Sequence, residues 1–205
     1  MNTSTTPVGR PRAFDLDTAL EKALEVFWQK GYEGASLPDL TAAMGINKPS
    51  LYAAFGNKEQ LFLKAIERYE QQHAQFFYGA LELPTAYQVA EQILLGAARE
   101  HAKAEHPRGC LVVQGALACS DDGQGVKQAL IERRRQSFEQ LVQRFVRAQQ
   151  QGDLATEHDP KVLAGYILTV IQGIAVQSTS CQCPQLIEQI ARQALTAFPP
   201  TIDAG

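Results

Sequence analysis

Cysteine is scarce in this chain of 205 residues, with four in all. Their spacing forms no disulfide framework, so they read as reduced thiols. No apolar run approaches the ~20 residues needed to cross a bilayer, which argues against a membrane partner. The first dozen residues lack the apolar stretch of a secretory signal, and the expectation is a cytoplasmic protein. Alternating β-branched runs are missing, so no strand is predicted. There is no glycine-rich phosphate loop, and the histidines at 73, 101, 106 and 158 show no catalytic grouping. With no Ser/His/acid arrangement either, the sequence implies neither an enzyme nor a cofactor. Neither sign of charge dominates: the net charge is −3, so bulk composition does not announce a nucleic-acid partner.

What the sequence holds is helical periodicity, nearly end to end. Apolar residues make up 45% and charged residues 20%, the balance of a chain able to bury a core. Asp15 or Asp17 caps a first helix whose apolar face is Leu20, Ala23, Leu24, Phe27 and Trp28, and Gly31 ends it. Ser36-Leu37-Pro38-Asp39 is a compact helix start, with a Ser cap, an early proline and an acid three residues on. That helix is short and stops at Gly45. Asn47 caps a third helix, with Pro49 in its first turn. After Gly56, Asn57 caps a fourth carrying Leu61, Phe62, Ala65, Ile66 and Tyr69. Longer helices follow, from Pro84 to about Lys103, Gly109 to Cys119, Gln124 to Gln151, 160 to 179, and Pro184 to before Pro199.

Residues 31–62 are the informative stretch. Two short helices joined by a tight turn at Gly45-Ile46-Asn47 make a helix-turn-helix. Leu37, Leu40, Ala43 and Met44 are expected to pack the first helix inward. Ile46, Leu51 and Phe55 should anchor the second and leave its other face free. Charge placement agrees: segment 45–58 holds only Lys48 and Lys58, and segment 1–14 only Arg10 and Arg12, without competing carboxylates.

The order and spacing of Gly31-Tyr32, Ser36, Gly45, Ser50-Leu51-Tyr52, Phe55 and Lys58-Glu59-Gln60-Leu61-Phe62 resemble the signature of the TetR (tetracycline-repressor-like) family of transcriptional regulators. The resemblance implies an all-α fold, with an N-terminal arm and helix-turn-helix domain over 1–58. A helical ligand-sensing and dimerisation domain follows over 59–205. It implies a homodimeric repressor on a palindromic double-stranded DNA operator, released by a small-molecule effector. Carried over, Ser36 bonds a phosphate at a helix N-terminus. Asn47, Lys48, Pro49 and Ser50 open the recognition helix toward phosphates or base edges. Tyr52 touches the backbone and packs on a thymine methyl, and Lys58 clamps a phosphate. Ala53 and Ala54 stand where many relatives carry larger groups, which thins direct hydrogen-bond readout. Residue by residue, the plainer alternative is the surface of a helical hairpin, with Tyr52 as packing. Arg10 and Arg12, flanking Pro11, suit a narrow minor groove; a solvated tail is the alternative.

In the helix from Gln124, the apolar face is Val126, Leu130, Ile131, Phe138, Leu141, Val142 and Phe145, and Arg134 falls at its centre. It is either a pocket arginine for an anionic inducer or half of a structural ion pair. Cys110 follows Arg108-Gly109 at a helix start, where positive charge and the helix dipole would lower a thiol pKa. That leaves open an electrophile- or redox-responsive repressor, against a simple core thiol. Cys181 and Cys183 make an incomplete soft-metal site, and His101, His106 and Cys110 do not complete it by spacing, so no metal is assigned. The candidate ligand set is Cys110, Gln114, Arg134, Phe138 and Tyr166, between the helices around 86–103, 109–119 and 124–151. In the family the last two helices form a four-helix dimer interface, which points to Leu163, Ile167, Val170, Ile174, Ile187 and Ile190; ordinary core is the alternative. A helical adaptor without DNA binding, and a small helical enzyme, remain the rival classes.

Overall fold

The computed structural model describes residues 15–117, 123–180 and 183–200. Arg10, Arg12, Cys119 and Cys181 therefore lie outside the described residues. Among the described residues the chain is a succession of ten α-helices without a strand: α1 (Leu16–Gly34), α2 (Leu37–Met44), α3 (Lys48–Phe55), α4 (Lys58–His73), α5 (Gln75–Tyr78), α6 (Ala86–Ala102), α7 (Leu111–Leu117), α8 (Gln124–Gln150), α9 (Pro160–Ser180) and α10 (Pro184–Leu195). Only α5 and the 3-10 turn after it (Gly79–Glu82) were without a sequence signal. They are too short to show a helical period.

Local chemistry sets the breaks. Gly31, at φ 71°, interrupts α1, and Gly45, at φ 66°, ends α2 in the left-handed region that a side chain resists. Ser36 and Asn57 each form a reciprocal capping box, with Asp39 and Gln60.

Two apolar cores result. The first is built on α1–α4 and includes Leu24, Phe27, Leu40, Leu51, Leu61 and Phe62, with Leu111 of α7 and Val126 and Leu130 of α8. Phe27 meets Phe62 edge-on, their centroids 5.0 Å apart, so α4 is fastened to α1. The second core joins α6, α8, α9 and α10. Gly96 permits this packing, because a Cβ there would lie 2.6 Å from that of Phe76. α8 also holds the chain reversal ahead of α6: buried Arg144 donates to the carbonyls of Leu83 (2.7 Å) and Pro84 (3.0 Å), and Arg147 donates to Leu81 (2.9 Å).

Three expectations are corrected. Ala43 is exposed rather than packed inward, because α2 buries only the stripe of Leu40 and Met44. Ile131 is 40% exposed, the core face of α8 passing through Leu130 instead. α9 does have the length and apolar composition to cross a membrane, since Thr169 and Gln172 interrupt its run without making it polar. It packs against α6, α8 and α10, with a third of that apolar stretch buried and Val162 and Val176 left exposed.

Candidate nucleic-acid interface and effector cavity

The α2–α3 pair is seated from below. Leu51 and Phe55 of α3 are buried in the core built on α1–α4, which turns the opposite face of α3 outward. That face presents Asn47, Lys48, Pro49, Tyr52 and Ala53, all exposed, with Ser50 half-buried beside them. The Asn47 side chain accepts from the Ser50 N–H at 2.9 Å and fixes the first turn. The Lys48 ammonium stands 5.8 Å from the Tyr52 ring centroid, so cation and ring support one another on one patch. No carboxylate belongs to α3.

Lys58 opens α4, with its ammonium 4.5 Å from the Tyr32 ring. Partial burial lowers its pKa, and the nearby Glu33 charge opposes the shift. Ser36 is placed differently from expectation. Its hydroxyl donates to Asp39 at 2.7 Å, and Asp39 also pairs with Lys30 at 2.7 Å. Hydrogen bonds from Lys30 and then Ser36 hold the Asp39 carboxyl at about 2. Ser36 thus spends its hydroxyl on the cap of α2, and a phosphate there would have to displace a carboxylate.

A separate cavity of about 120 Å³ lies where α4, α5, α7, α8 and α9 meet, with His101 of α6 at its edge. Apolar lining comes from Phe76, Phe77, Val113, Leu168 and Ile171, and polar lining from Tyr69, Glu70, Arg133, Arg134 and Cys110. Of the five ligand candidates, Cys110 and Arg134 line it and the other three do not. Gln114 reaches back toward the Arg108 carbonyl at 3.5 Å. Phe138 packs on the second core. Tyr166 donates to the Ala194 carbonyl at 2.8 Å and ties α9 to α10. Each lies one or two positions from a cavity-lining residue of its own helix, Val113, Ser137 or Leu168, and so about 100–200° around the helix axis.

The charges of the lining differ from the sequence expectation. The structural ion pair belongs to Arg133, which bonds Glu70 of α4 and approaches Glu67 at 3.8 Å. Arg134 makes no ion pair among the described residues. Burial raises the Glu70 pKa even though Arg133 pulls the other way. Cys110 shares a hydrogen bond with Tyr69, and burial pushes its thiol up rather than down. Enclosure outweighs the helix start, so the lowered thiol expected from Arg108 is not found. Tyr69 and Glu70 carried no sequence signal as cavity residues, because the apolar period of α4 assigned them simply to core and flank.

The predicted interface residues divide as well. Ile167, Ile174 and Ile187 are buried within this chain's own core, and Leu163 and Val170 are half-buried. Ile190 is 37% exposed, and the exposed apolar face also includes Val162, Val176 and Leu186, which helical period did not single out. Heptad-like spacing could not say which side of α9 and α10 met α6.

Fold and site together define a helix-turn-helix protein whose outward α3 face is carried by the first core and whose internal cavity lies where helices of both cores meet. Residues 19–65 match the family of bacterial regulatory proteins, tetR family, and residues 92–194 match the tetracyclin repressor-like C-terminal domain. The chain belongs to the TetR family. It is 31% identical over 199 residues to the HTH-type transcriptional repressor ComR of Escherichia coli (strain K12), covering 95% of this chain and 93% of that one. Over 109 residues it is 37% identical to the HTH-type transcriptional repressor BdcR of the same organism, 52% of this chain and 55% of that one. Among solved structures, a cysteine mutant of the TetR family regulator CifR, complexed with 26-base-pair double-strand operator DNA, is 41% identical with a TM-score of 0.88. The match covers 93% of this chain and all (100%) of that one.

Proposed function

We propose that the protein is a cytoplasmic, homodimeric transcriptional repressor that binds a palindromic operator through α3 and leaves it when a small ligand enters the cavity beside α4. The observation that carries the DNA role is the outward patch of Asn47, Lys48, Ser50 and Tyr52, held on buried Leu51 and Phe55. Lysines meet phosphates, while the tyrosine ring and the alanines meet base methyls. Likeness to ComR and to the operator-bound CifR supports this reading. Residues 1–58 form the reading head, and 59–205 the sensing and dimerising part, with α4 shared between them.

Dimerisation uses the exposed apolar face of Val162, Val176, Leu186 and Ile190 on α9 and α10. It sets two recognition helices about 35 Å apart, one turn of B-DNA. The cavity lies against the C-terminal half of α4, the same helix that begins at Lys58. A ligand that favours one position of α4 therefore favours one spacing of the heads. With Glu70 paired to Arg133, and Arg134 without an ion pair among the described residues, the lining is net positive, which suits a small anionic, largely apolar ligand. At about 120 Å³ the cavity is below the ~300 Å³ of drug-sized sites.

Selection of bound sequences from a random duplex pool, followed by footprinting, tests the DNA role. Enrichment of an inverted repeat protected on one face is expected; a pool without any enriched sequence at low salt would overturn the reading in favour of a helical adaptor.

A further inference from the structure

Three metal-ligating side chains converge beside the cavity, whose lining His73 shares, from segments far apart in sequence. His73 ends α4, Glu100 lies in the last turn of α6, and His106 sits on the loop between α6 and α7. One ligand atom of each lies within 4.8 Å of the others. His73 Nδ1 and Glu100 Oε1 are 2.8 Å apart, and the His73 and His106 rings stand 4.6 Å apart, edge to face. His73 is buried and Glu100 nearly so. Spacing along the chain did not group these three; the fold does.

We propose that His73, Glu100 and His106 form a binding site for one divalent transition-metal ion of the zinc class. Two imidazoles and one carboxylate suit Zn²⁺ or a neighbouring ion, with solvent in a fourth position. Tetrahedral ligands about 2.0–2.2 Å from a metal lie some 3.3–3.5 Å apart, so small rotamer changes bring this trio to coordination. The other Glu100 oxygen accepts from Lys103 at 2.6 Å, which orients the carboxylate as a supporting partner does in a metal centre. An open surface pocket lined by Trp28, His73, His106 and Pro107 provides an entry path. The bound ion would tie the end of α4 to α6 and to the α6–α7 loop.

The site carries its own reporter. Trp28 is the single tryptophan of the chain. It stacks on His106 at 5.8 Å and meets His73 edge-on at 4.7 Å. The test is a Zn²⁺ titration of the full chelator-stripped chain, read by calorimetry and Trp28 emission, and repeated with Co²⁺ to read its visible bands. One ion per chain and a saturable emission change are expected, with affinity lowered about tenfold or more in His106→Gln and Glu100→Gln. No uptake by the wild-type chain, or uptake equal in these variants, overturns the proposal. Should Glu100→Gln lose its helical circular dichroism, His106→Gln decides alone, because its loop position spares both cores.

Discussion

Arg133 of α8 is ion-paired to Glu70 of α4, a link across 63 residues between α8 and the helix that begins at Lys58. Its neighbour Arg134 lines the same cavity without a carboxylate partner among the described residues. Adjacent arginines on one helix, about 100° apart around its axis, thus have different work. One is tied to α4, and the other faces the cavity.

The first prediction separates them. Arg133→Met should destabilise the fold by about 1–3 kcal/mol, since it leaves Glu70 partly buried and unpaired. Arg134→Met should leave stability within about 0.5 kcal/mol and weaken operator release by small carboxylates. Urea melts and release assays with a panel of such acids read the two effects. Equal destabilisation by both would remove Arg134 from the ligand role.

Salt dependence tests the lysines. Lys48→Ala and Lys58→Ala should each lower DNA affinity evenly across sequences. Each should flatten the plot of log affinity against log salt by about one unit for every phosphate no longer neutralised, hence about two in a dimer. An unchanged slope would show that the lysine does not touch the backbone.

Dimer contacts are separable from core contacts. Val176→Glu and Ile190→Glu place carboxylates on the exposed face and should yield folded monomers at micromolar concentration by sedimentation. Ile187→Glu puts an unpaired charge in the chain's own core and should unfold it, at a cost of several kcal/mol. Dimers persisting in both surface variants would place the interface elsewhere.

Acid stability should report the α2 cap. Asp39 has a folded pKa of about 2, below its ordinary 3.8. Its contribution is therefore fully present above the unfolded value and is lost as pH falls through the folded one. Thermal melts stepped from pH 5 to pH 2 should fall more steeply for the wild type than for Asp39→Asn. Parallel curves would mean that the Lys30–Asp39–Ser36 contacts contribute nothing.

Much of this molecule is written in local pattern. Gly31, Gly45 and Gly56 break the chain, and Ser36, Asn47 and Asn57 cap the helices that follow, because capping and left-handed turns depend on residues within a few positions of one another. The outward face of α3 was legible for the same reason, since Leu51 and Phe55 must point one way and Tyr52 the other. Which arginine of Arg133-Arg134 finds a carboxylate was decided by α4, far off in sequence. So were the half-buried place of Cys110 against Tyr69, the inward turn of Ile167, Ile174 and Ile187, and the meeting of His73, Glu100 and His106. A period of 3.6 residues names the apolar side of each helix. It does not say which helix will cover that side, and long-range packing alone sets the charge, enclosure and reach of the groups found there.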